Sequence, residues 1–149
     1  MATYKGRFTP KNKDKYLGDI KAIVYRSLWE RNVFRWLDDN PDIKMWNSEE
    51  VVIPYRCATD NKMHRYYIDV WFKTKDDRAF IVEIKPKAQT IPPKPPARRT
   101  RHYINEALTY AKNQSKWVAA TEFAKDNGIV FQVWTEDTLK AMGIRILKG

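Results

Sequence analysis

The stretch HRYYIDVWFKTKDDRAFIVEIK, residues 64 to 85, constrains this chain more than any other. Two apolar runs, YYIDVWF (66–72) and AFIVEIK (79–85), flank the polar tract KTKDDR. The pattern predicts a β-hairpin. Side chains alternate along a strand, so Ala79, Ile81, Glu83 and Lys85 share one face and Phe80, Val82 and Ile84 the other. In the preceding strand Tyr67, Asp69 and Trp71 share a face. A turn centred on Asp76 opposes Asp69 to Glu83, with Cβ atoms ~4.5–5.5 Å apart. A one-residue slip would send one carboxylate to the other face. Two carboxylates that close repel, and apolar neighbours keep water from relieving them cheaply. A divalent cation between them removes the difficulty.

The elements around the hairpin follow from the same kind of reading. Asp19 is expected to cap a helix running to about Asp39, stopped by Asn40-Pro41, with Ile23, Ser27, Glu30, Phe34 and Leu37 on its inner face. EEVVIPYR (49–56) reads as the first strand, and the Asn61-Lys62 dipeptide as a turn. A long helix from Thr100 to Asp126 is expected to bury Ile104, Leu108, Ala111, Ser115 and Val118, and to end at Gly128. IVFQVW (129–134) reads as a fourth strand, EDTLKAM as a short helix capped by Thr135, and IRIL (144–147) as a last edge strand. The order αβββαβ describes an α/β domain: a mixed sheet of about four strands flanked by helices.

At 149 residues the chain suits one domain. Residues 1–18 read as a basic arm, either solvated or touching phosphate, since seven Lys/Arg against two Asp precede position 27. Residues 86–99 hold five of the eight prolines, which forces an extended loop. From Ile84 to Asn105 no acidic residue occurs, while Lys85, Lys87, Lys94, Arg98, Arg99 and Arg101 are basic. With a net charge of +10, the balance favours a polyanionic partner, DNA first, over a merely soluble basic protein. The three arginines suit backbone phosphate, and Gln89 stands where it could touch DNA or a water, although a loop glutamine is usually only solvated.

Cys57 is the single cysteine, which excludes an intramolecular disulfide. Four clustered Cys/His ligands are absent, so no structural zinc site of that kind is expected. His64 and His102 read as surface or partner-contacting residues. No secretory leader is evident, and no apolar run approaches the ~20 residues of a membrane span.

Hard carboxylate oxygens at Asp69, Glu83 and Glu30 favour Mg2+, with Mn2+ able to substitute. The plain alternative, an ordinary ion pair between Glu83 and Lys85, leaves Asp69 and Glu30 unexplained. A hard cation beside a basic loop points to phosphodiester hydrolysis, with Lys85 orienting water or stabilising charge on phosphate. Pro86 disfavours helical backbone at Lys85 and holds it extended. The Ile84 carbonyl is a further candidate ligand. Glu49 and Glu50 open the first strand and are expected to be solvated or paired with arginine.

Asp69 followed by Glu83-Ile84-Lys85 resembles the PD-(D/E)xK nuclease signature, with Ile68 where the signature has proline. With RSLWE (26–30) on the preceding helix, it is similar to the TnsA-like and phage junction-resolvase branches, which implies Glu30 as a third acidic ligand. YRSLWER, WNSEEVVIPY, HRYYIDVWF, VEIKPKAQTIPPKPP and VWTEDTL, between residues 25 and 139, together resemble the head completion nucleases of T-even-type tailed phages. That resemblance implies a restriction-endonuclease-like fold and a late role in virion assembly. It also implies residence in the cytoplasm of the infected host or in the virion, and portal or neck proteins as partners. Two other expectations stay open. One is a non-enzymatic assembly protein that uses a nuclease fold to bind DNA or the portal. The other is a homodimeric junction-resolving nuclease.

Overall fold

The computed structural model describes residues 5–146. Its centre is a four-stranded sheet of β3 (Ile43–Asn47), β6 (Val70–Thr74), β7 (Ala79–Ile84) and β8 (Val130–Trp134), in that spatial order. The first two pairings are antiparallel and β7–β8 is parallel. The crossover between the parallel strands contains α2 (Arg101–Asp126). A short strand pair, β1 (Gly6–Arg7) with β2 (Val24–Tyr25), precedes α1 (Leu28–Asp39). A separate two-stranded sheet pairs β4 (Val52–Cys57) with β5 (Lys62–Tyr67). The helix α3 (Glu136–Ala141) follows β8. The architecture is mixed α/β with a four-stranded mixed sheet flanked by helices, as a restriction-endonuclease-like fold requires.

Strand alternation sorts the core into two layers. Val70, Phe72 and Val82 pack with Val33, Phe34 and Leu37 of α1, with Trp46, and with Leu139 of α3. On the opposite face Ile81 packs with Ile53, Tyr55 and Tyr66 of the β4–β5 hairpin and with Ala120 and Ala124 of α2. Burying a side chain such as Ile81 contributes roughly 1.5–3 kcal/mol. The register pairs Val70 with Val82 and Phe72 with Phe80, so the residues of a pair sum to 152 and the turn centres on Asp76. That is the expected register.

Several elements differ from expectation. The first helix starts at Leu28, with the Ser27 hydroxyl accepting from the Glu30 N–H, whereas Asp19 caps only the 3-10 turn Ile20–Ala22. Ile23 is buried but lies before the helix. The run 66–72 is not one strand. It breaks at Ile68–Asp69, where the chain leaves the β4–β5 sheet and enters the central one. The expected first strand therefore pairs only with β5, and its place in the central sheet is taken by β3. A register shift between Ile43 and Met45 disturbs the alternation of β3, which hides it from a period-two reading.

The inner face of α2 is also displaced. Ile104, Leu108 and Val118 are exposed, while Asn113, Ala120 and Ala124 are buried with Trp117 partly buried beside them. The true face lies two residues along, about 200° round the helix. Small alanines permit close approach and carry little hydropathic signal. At the other end of the molecule, residues 144–146 form no strand, and Leu147 lies outside the described residues.

Residues 5–18 lie against the core. Phe8 packs edge-on to Phe34 and Trp46, and Tyr16 is buried against Trp46. Lys15 Nζ donates to the carbonyls of Leu37 (3.0 Å), Asp38 (2.9 Å) and Asn40 (2.8 Å). A cation there satisfies the orphan carbonyls at the end of α1. Buried Asp38 in turn accepts from the backbone N–H of Lys11 at 2.8 Å.

Candidate metal centre and nucleic-acid interface

The break at Ile68–Asp69 builds the site. The Ile68 N–H donates to Val51 O (3.0 Å) and its carbonyl accepts from Glu49 N (3.1 Å), so this residue still belongs to the hairpin. One residue later, Asp69 Oδ2 accepts from the Ile84 N–H at 2.8 Å. A carboxylate thus takes the position a backbone carbonyl would hold had β6 continued. Lys85 N donates to Trp134 O at 3.0 Å, which turns odd-numbered backbone groups of β7 toward β8 and even-numbered ones toward β6. The Ile84 carbonyl therefore faces the same side as its N–H, toward Asp69.

Glu83 is 4% exposed, on the face that carries Ile81. Burial pushes the Asp69 carboxyl well above its ordinary range, and the neighbouring Glu83 charge and a hydrogen bond with Glu83 push it further. The Glu30 charge adds to this. Glu30 is itself raised, first by burial and then by Glu49 and Glu83, against the lowering effect of its 2.9 Å bond from the Arg26 N–H. The three acids thus share one field. The ligand atoms of Glu30, Asp69 and Glu83 do not all lie within 4.8 Å of one another.

Neutral and cationic groups complete the surroundings. Burial and the Glu83 and Asp69 charges push the Tyr66 hydroxyl above its ordinary value. Tyr66 Oη and Trp117 Nε1 are buried without a partner at hydrogen-bond geometry. Lys116 of α2 lies 5.4 Å over the Tyr66 ring, and its ammonium is lowered by burial while Glu83 and Asp69 hold it up. The sequence reading missed Lys116 because it placed the inner face of α2 elsewhere. Glu49, expected to be solvated or paired with arginine, is paired. Glu49 has a left-handed φ of 57° and grips Arg26 through two contacts, 3.0 and 3.3 Å.

The donor set fits a hard divalent cation. Two carboxylates, one backbone carbonyl aimed the same way and orphaned polar atoms nearby match the oxygen ligation of Mg2+ or Mn2+. A cation would also offset the charge repulsion and burial that raise Asp69.

The basic loop is less uniform than expected. Lys94, Arg98, Arg99 and Arg101 are exposed and have no acidic partner among the described residues. Lys87 is engaged instead: its N–H donates to Glu136 Oε1 (2.6 Å) and its Nζ pairs with Asp137 (3.1 Å) at the start of α3. Gln89 lines a cleft of about 340 Å³ between the loop and α2, with Tyr110 and Asn113. No helix among the described residues is long and apolar enough to cross a membrane.

Two comparisons bear on this arrangement. Residues 40–136 match the family model of the TnsA-like endonuclease N-terminal domain. That span holds Asp69, Glu83, Lys85 and Lys116, and leaves Glu30 outside it. The chain is also 46% identical over 146 residues to a protein of Enterobacteria phage T4 named head completion nuclease, covering 95% of this chain and 97% of the relative.

Proposed function

The chain belongs to the TnsA-like endonuclease N-terminal family, and from that premise we propose that it is a metal-dependent DNA endonuclease acting in phage head completion. The observation that carries the reading is the pairing of buried Glu83 with Asp69, whose carboxylate is itself fixed by the Ile84 N–H. Asp69, Glu83 and the Ile84 carbonyl would hold Mg2+, or Mn2+ in its place, with Glu30 as a third acidic group whose charge reaches the pair. When bound, the ion polarises a phosphoryl oxygen and lowers the pKa of a coordinated water.

The protein's own groups have separate tasks. Lys85 leaves β7 on the face of Glu83, where its ammonium orients the attacking water or offsets charge developing on phosphate. Lys116 adds positive charge from the opposite wall. Arg98, Arg99 and Arg101, without an acidic partner among the described residues, hold backbone phosphate without reading sequence. Lys94 extends that surface, Gln89 borders it, and Lys87 fixes the loop to α3 as well as contributing charge. The residues 1–149 act as one nuclease domain, working in the host cytoplasm or on the assembling virion beside portal or neck proteins.

Plasmid nicking in Mg2+ tests the assignment. The parent is expected to convert supercoiled to open circular DNA, and Glu83→Ala and Lys85→Ala are expected to leave it supercoiled. Nicking by both variants at the parental rate would overturn it.

A further inference from the structure

We propose that Cys57, Asp60 and His64 form a second metal site, of the zinc class, that staples the β4–β5 hairpin. The three lie in CATDNKMH, residues 57–64, away from the carboxylates of the first site. Cys57 ends β4, Asp60 sits in the turn, and His64 lies on β5. The register pairs Tyr55 with His64 and Cys57 with Lys62, which puts Cys57 and His64 on one face, diagonal to each other. Asn61, at a left-handed φ of 56°, closes the turn with its N–H on Cys57 O at 2.7 Å and brings Asp60 back over that face. The Asp60 carboxylate is held at both oxygens. Oδ1 accepts from Lys62 N at 3.0 Å, and Oδ2 lies 2.7 Å from His64 Nε2.

One thiol, one carboxylate oxygen and one imidazole nitrogen thereby fall within 4.8 Å of one another. Atoms sharing a tetrahedral zinc stand roughly 3.3–3.7 Å apart, given bonds of about 2.0–2.3 Å, so small rotamer changes close the set. A carboxylate–histidine hydrogen bond accounts for Asp60 and His64, and a contact with Thr59 for the thiol, but neither requires all three ligand atoms to converge. Thiolate with imidazole selects a borderline-soft ion over magnesium. A dication balances the thiolate and the carboxylate, so the assembly is neutral. It replaces the proton between Asp60 and His64 and releases the one on sulfur. The fourth position is left to water or Thr59, whose Oγ1 lies 3.0 Å from Cys57 Sγ. Thr59 also lines a cleft of about 420 Å³ against Asn105, Leu108 and Lys112 of α2. The consequence is mechanical. The strand that carries His64 carries Tyr66 to Glu83, so an ion here fixes the wall of the first site without taking part in its chemistry.

The test uses the full chain in excess Mg2+, with Co2+ and Zn2+ as probes. Co2+ is expected to bind one equivalent with a thiolate-to-cobalt charge-transfer band, and Zn2+ is expected to displace it and raise the urea midpoint. Cys57→Ser and His64→Gln are expected to lose the band. His64→Gln is the safer variant for folding, its side chain being 37% exposed. Glu83→Gln is expected to retain the band, which separates this site from the carboxylate pair. Absence of the band in the parent, its survival in His64→Gln, or its loss in Glu83→Gln would each overturn the proposal.

Discussion

Replacing Glu83 by glutamine should stabilise the metal-free protein while abolishing its activity. Glu83 is buried, and its charge raises the Asp69 carboxyl, with burial as the larger cause. Asp69 therefore binds its proton more tightly in the folded state than in the unfolded one. The stability this confers is full below the unfolded value of about 3.9 and is lost as pH rises through the folded value. Two unit charges about 5 Å apart at an effective dielectric of about 20 repel by about 3 kcal/mol. Asp69 is partly exposed, and solvent screening reduces the expected gain on Glu83→Gln to about 1–2 kcal/mol at pH 8. Near pH 4, where Asp69 keeps its proton, parent and variant should be close. Adding Mg2+ at ten times its dissociation constant should restore about 1.4 kcal/mol to the parent and nothing to the variant. Urea denaturation in EDTA and in Mg2+, at both pH values, measures all of this. A variant less stable than the parent at pH 8 without metal, or an equal gain from Mg2+, would refute the like-charge reasoning.

Other outcomes follow from the same geometry. Lys85→Met should lower the nicking rate by about 10²–10⁴-fold while leaving Mg2+-dependent stabilisation intact, which activity and urea titrations separate. Glu30→Gln, which removes a charge that reaches the pair, should cost about 10–100-fold in metal affinity or rate, and an effect as large as that of Glu83→Gln would place Glu30 in direct ligation. Replacing Arg98, Arg99 and Arg101 together by alanine should weaken duplex binding and flatten the plot of log affinity against log salt by ~0.9 per lost phosphate contact, read by anisotropy. Lys15→Met removes the cation from three helix-end carbonyls and should destabilise the fold by about 1.5–3 kcal/mol in thermal or urea unfolding.

The hairpin register was legible because it depends only on period-two alternation and one short turn. Asp69, Glu83 and Lys85 could be placed before any coordinates for that reason. What was illegible needed longer-range information. Nothing local marks Ile68–Asp69 as the point where one strand pattern passes between two sheets, since YYIDVWF alternates without interruption. Strand β3 was masked by its bulge. The face of α2 was misread because its contacts are alanines, Asn113 and a tryptophan, not a leucine stripe, so Lys116 went unnoticed. The N-terminal segment read as an arm, solvated or touching phosphate, because its anchors are one lysine and two aromatics among many basic residues. Charge composition recorded the cations, but not which of them, such as Lys15 and Lys87, are consumed internally.

The parallel pairing of β7 with β8 has a consequence for synthesis. Asp69, Glu83 and Lys85 leave the ribosome well before Trp134, whose carbonyl secures the backbone of Lys85. The wall bearing Lys116 and Trp117 also comes after both carboxylates in the chain. A nascent chain therefore carries every acidic group of the site long before it carries the site. The site is completed only with β8, and a polypeptide interrupted before it is expected not to cut DNA.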